Sequence, residues 1–111
     1  MSSATRRKSA STVASPREES ALVFLAGAYA RNGHTRTAAD REVNPGTHRG
    51  YEIRFSALNA AARDEIVKAL RDAGFAPGRP FAKGPAWRIP VYGRDAVRRL
   101  RAEMRRVSRK G

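Results

Sequence analysis

The chain has 111 residues, 41% of them apolar, and carries 23 Lys plus Arg against 10 Asp plus Glu, a formal net charge of +13. A chain this short builds one modest core, which excludes a multidomain enzyme with a separate cofactor domain. There is no cysteine, so a disulfide framework and a thiolate zinc site are both excluded, and only two histidines remain for imidazole ligation.

Arginine dominates the basic excess. Its planar fork suits bidentate contact with phosphate better than lysine does, so nucleic acid is the expected partner. No apolar run reaches the roughly 18 residues of a membrane span, and no helix pairs cations with an aromatic-studded apolar face. A soluble intracellular protein, cytoplasmic or nucleoid-associated, and no membrane partner are the expectations.

Residues 1–20 combine eight Ser and Thr with Arg6, Arg7, Lys8 and Arg17 and almost no bulky apolar side chains. The composition predicts a disordered basic tail, and an organellar transit peptide shares it. Residues 21–111 are then the nucleic-acid-binding domain. Ala21 to Ala30 reads ALVFLAGAYA, with Pro16, Glu18 and Glu19 before it and Asn32-Gly33 after it, which predicts a helix with a defined start and stop. Leu22, Leu25 and Tyr29 supply bulk. Val23, Ala26, Gly27 and Ala30 form a strip of mostly small residues at helical spacing. So few other elements cannot wrap this helix on all sides, so the strip is expected to meet a second copy about a twofold axis.

Residues 34–49 mix Thr, Arg and His with the turn signal Asn44-Pro45-Gly46, which fits a polar strand and a hairpin turn. Tyr51 to Ser56 alternates, sending Tyr51, Ile53 and Phe55 to the core and Glu52, Arg54 and Ser56 to the opposite face. From Asn59 to Ala73, Ala62, Ile66, Ala69 and Leu70 recur at helical spacing with Gly74 as a left-handed stop. The breaker-rich stretch from Gly78 to Pro85 leaves room only for a short edge strand. Trp87 to Tyr92 alternates again, with Trp87, Ile89 and Val91 inward and Arg88, Pro90 and Tyr92 outward. Val97, Leu100, Met104 and Val107 mark the buried stripe of a last, arginine-crowded helix.

The expected fold is α+β, of order αββαββα: a four-stranded antiparallel sheet with helices on one face and the other face open. Arg54 and Arg88 on that open face are placed to read base edges, and Arg36, Arg41, Arg49 and Lys83 to hold phosphates at its margins. Among the aromatics, Trp87 and Tyr51 share the inward face with aliphatics, which leaves Tyr92 for contact with a base. Asp40, Glu42, Glu18 and Glu19 read as surface acids balancing arginines. His34 and His48 read as loop histidines, with His34 near the expected working edge. No Ser-His-Asp order and no phosphate-cradling glycine loop is present.

Leu25-Ala26-Gly27-Ala28-Tyr29-Ala30-Arg31-Asn32-Gly33, standing in the first helix of this element order, resembles the motif of the LAGLIDADG homing endonucleases. It keeps the opening Leu-Ala-Gly and the closing Gly, and the likeness extends over residues 21–107. The resemblance implies a single-motif half-domain that pairs as a homodimer on a pseudopalindromic duplex DNA site. It also places Asn32 where the family has its metal-binding acid, and Ala30 where it has the earlier acid. An amide brings no charge to hold a divalent cation or activate water, so cleavage is expected to be weakened or lost, with Mg²⁺ as cofactor only where nuclease activity is retained. Two other readings stand beside this one: an RNA-binding structural protein that reuses the fold, and a nuclease in which Asn32 replaces a native acid.

Overall fold

The computed structural model describes residues 15–36 and 51–110. Seven elements follow one another: α1 (Pro16–Asn32), β1 (His34–Arg36), β2 (Glu52–Ala57), α2 (Ala60–Asp72), β3 (Phe81–Lys83), β4 (Ala86–Tyr92) and α3 (Arg94–Lys110). This is the α+β order expected from the sequence. The turn at 44–46, Arg41, Arg49, Asp40, Glu42 and His48 lie outside the described residues, as does the tail up to residue 14.

Residues 16–20, grouped by composition with the tail, belong to α1. Ser15 caps the helix: its side chain accepts from the Glu18 amide at 3.2 Å, and the Ser15 amide donates to Glu18 Oε1 at 2.8 Å. This reciprocal box, with Pro16 in the first turn, outweighs the Ser-rich composition. Gly33 ends the helix with φ −80°, so it stops α1 without a left-handed turn. What it supplies is space, because a Cβ there would lie 2.1 Å from Cδ1 of Tyr29.

The helix α2 begins at the Asn59 cap, whose side chain accepts from the Ala62 amide at 2.8 Å. It ends in a Schellman motif, with the Gly74 amide donating to the Arg71 carbonyl and the Phe75 amide to the Leu70 carbonyl. Gly74 has φ +89°, as its place in the sequence predicted.

The sheet runs β1-β2-β4-β3, all neighbours antiparallel. Ile53, Phe55, Ile89 and Val91 point to one side and form the core with Leu22, Leu25, Ile66, Leu70, Leu100 and Met104 from the helices. The helices therefore share one layer, with α1 packed against both α2 and α3. Trp87 and Tyr51 pack partly buried against this core, on the inward face expected of them. Arg63 of α2 lies over the Trp87 ring, 4.4 Å from its centroid.

The first turn of α1 is tied to the last helix by Arg106. It donates to both carboxylate oxygens of Glu19 at 3.0 and 3.1 Å, and to Glu103 at 2.7 Å. These bonds, the one to Glu19 foremost, raise the proton affinity of Arg106 above its ordinary value. Among the described residues no helix is long and apolar enough to cross a membrane.

Candidate nucleic-acid interface

Antiparallel register fixes which side chains share the open face, because residues directly opposite each other point the same way. Arg36, Glu52 and Tyr92 form one rung and His34, Arg54 and Pro90 the next. Ser56, Arg88 and Phe81 make a third, and Ala86 and Lys83 close the row. Five of the six basic positions that the sequence suggested for this face or its margins were arginines. The structure brings together Arg36, Arg54, Arg88 and Lys83 and adds His34, while Arg41 and Arg49 fall outside the described residues.

The face is less bare than alternation alone implies. Glu52, expected to face out to solvent, is only 4% exposed. Arg54 grips it with a bidentate fork, Nε to Oε2 at 3.1 Å and Nη2 to Oε1 at 3.2 Å, and Arg36 Nη1 approaches Oε1 at 3.2 Å. One carboxylate thus fixes two guanidiniums and leaves the group with a single net positive charge. Buried charges persist when paired and hydrogen-bonded in this way.

Pro90 is also outward-facing yet fully buried, because the chain at Gly78 runs alongside β4. The Gly78 amide donates to the Pro90 carbonyl at 2.7 Å, and a Cβ at Gly78 would meet the Tyr92 ring at 2.7 Å. Tyr92 is consequently half-covered. Phe81 is the aromatic left open on this face, at 37% exposure, with the Arg54 guanidinium 5.9 Å from its ring centroid. A three-residue strand among breakers has no readable alternation; the signal for Phe81 is its pairing with Arg88 across β3 and β4.

At the end of α1 the open face meets the motif segment. Arg88 Nη1 donates to the Ser56 hydroxyl, and that hydroxyl donates to the Asn32 main-chain carbonyl at 3.4 Å. Arg88 Nε is buried with no hydrogen-bond partner among the described residues. Asn32 is exposed. Its surroundings do not suit a divalent cation, since its amide is neutral, its carbonyl already accepts a hydrogen bond, and the nearest ionised group in that chain is a guanidinium. Among the described residues no group of three His, Cys, Asp or Glu is placed to hold a metal ion. The donor set fits an anion better than Mg²⁺.

The small-residue strip of α1 splits in two. Leu22, Leu25, Ala21 and Ala28 form the buried side. Val23, at 56% exposure, and Ala30 stand on the opposite side, with Gly27 half-exposed between them and Phe24, at 38%, alongside. Ala26 turns toward α3, where it lines a groove with Tyr29, Met104 and Arg101, and Ala30 borders the same groove. Among the described residues, α2 and α3 flank this ridge and do not cover it.

Comparison with protein-family models, with curated proteins and with solved structures gives no match for this chain.

Proposed function

We propose that the protein binds duplex DNA with the open face of its sheet and acts as a homodimer joined through the outer ridge of α1. The observation that carries this reading is a sheet with one face on helices and the other bearing His34, Arg36, Arg54, Arg88 and Lys83 around one acid. Arg88, oriented by the Ser56 hydroxyl, and Arg54, held in plane by Glu52, are the side chains assigned to base edges. Arg36 and Lys83 are assigned to phosphates, and Arg41 and Arg49 join them in this reading. Twofold pairing through Val23, Gly27 and Ala30 matches such a face to a pseudopalindromic site. The likeness of residues 25–33 to the LAGLIDADG motif points the same way, and Asn32 beside Ser56 and Arg88 argues for binding without metal-dependent cleavage.

Selection from a random duplex library tests it. The native protein should enrich a pseudopalindromic sequence. Arg54→Ala with Arg88→Ala should lose that discrimination, each truncation costing about 1–3 kcal/mol, while salt-dependent binding to random duplex persists. Failure to enrich any duplex, or a preference for structured RNA over every duplex, would reject this reading.

A further inference from the structure

A second charged surface lies on α3, on the helical side of the molecule. At about 100° per residue, Arg94, Arg98, Arg101, Arg105 and Arg109 fall within roughly 80° of arc and make a row about 22 Å long. All five are exposed, and none has a hydrogen bond or ion pair among the described residues. The other arginines described on this helix include two that are engaged. Arg106 is held by Glu19 and Glu103, while Arg99 covers the Phe75 ring at 4.5 Å and donates to the Gly74 carbonyl. The helix thus keeps partnered arginines on one flank and unpartnered ones on the other.

Like charges three and four residues apart repel, and Arg94 adds a cation to the first turn, where the helix dipole opposes it. Among the described residues no acid pairs with this row, Asp95 of the first turn included, so a polyanion would offset it. The row cannot share a ligand site with the open sheet face. Val97, Leu100, Met104 and Val107 anchor α3 to the opposite, inward side of the sheet. No aromatic residue occurs in α3, which speaks for phosphate contact along a duplex over stacking of unpaired bases.

We propose that the α3 row binds the phosphate backbone of a second DNA duplex, independently of sequence, so that one protein bridges two segments. A duplex presents one charge per about 1.7 Å of axis, ample for five cations over this length. The first duplex in this scheme rests on the sheet-face reading above; the row does not.

The test captures a fluorescent duplex on beads carrying another duplex, with the protein as the link. Arg98→Gln with Arg105→Gln is compared with a charge-matched control, Lys68→Gln with Arg71→Gln, two exposed cations of α2 away from the row and from the sheet face. Thermal melts of both variants confirm the fold, since glutamine suits an exposed helical position. The row variant should capture at least about tenfold less, with the slope of log affinity for the second duplex against log salt smaller by about 1.8, and the control should match the native protein. Unchanged capture in the row variant, or an equal loss in both variants, overturns the proposal. So does row-dependent binding of duplex RNA or anionic phospholipid vesicles in preference to duplex DNA. Anisotropy of a single selected duplex reads the sheet face on its own. Binding there with unaltered bridging defeats only the row, whereas a flat titration defeats the sheet-face reading.

Discussion

Gly33 shows how one residue can have a structural task that its place in the chain does not disclose. Its spacing marks a helix stop, and α1 does stop there. Its φ of −80° is open to any residue, so the constraint comes from Tyr29, whose ring lies where a Cβ would be. That ring is held in turn by Thr35 through its hydroxyl and by Phe55 in an edge contact at 6.2 Å. Gly33→Ala should therefore destabilise the fold by about 1–3 kcal/mol through overpacking. Urea titration of Gly33→Ala, Tyr29→Leu and the double variant should show a double loss well short of the sum. Strict additivity would show that the ring is not the obstacle. Glu52 makes the same point on the sheet. Alternation places it on the outward side, but only the three-dimensional closeness of Arg36 and Arg54 makes it a buried clamp.

Elements were legible where local chemistry and hydrophobic periodicity agree. For α2, Asn59, the apolar repeat and Gly74 together specify the start, the buried stripe and the stop, and the observed helix keeps to them. The Schellman closure sets Phe75, 5% exposed, into the core behind Leu70. At Gly74 nothing lies within 4 Å of an added Cβ, so substitution there meets only the positive φ. Gly74→Ala is expected to lower unfolding free energy by about 1–2 kcal/mol, and Gly74→Asn by visibly less because Asn tolerates the left-handed region. Equal losses in denaturant melts would contradict a purely conformational cost. β3 was legible only as a short edge strand. Its three residues have too little periodicity to declare a face, so Phe81 and Lys83 gained theirs from pairing with β4.

For the molecule as a whole, the notable feature is an apolar helix that the described residues leave open on one side. α1 lies beside α2 and α3 and over β2, yet Val23, Phe24 and Ala30 remain exposed. Under the proposed twofold pairing, Gly27→Leu puts bulk where two backbones approach. Sedimentation equilibrium should then move from dimer to monomer or aggregate while circular dichroism keeps its helical signal. A native protein that sediments as a monomer at high micromolar concentration would remove the twofold scheme and leave the basic sheet face to act singly.

Composition and periodicity by themselves determined the α+β order, the inward and outward sides of β2 and β4, the buried stripe of α3 and the limits of α2. Those properties depend on neighbours a few residues apart, where backbone geometry ties position in the chain to direction in space. Tertiary structure alone decided that Glu52 and Pro90 are buried on an otherwise open face, that Arg88 reaches the end of the motif helix through Ser56, and which arginines of α3 find acids. Most of these depend on residues a dozen or more positions apart, such as Arg36 with Glu52, Gly78 with Pro90 and Glu19 with Arg106, and only the packed chain sets how close such groups come.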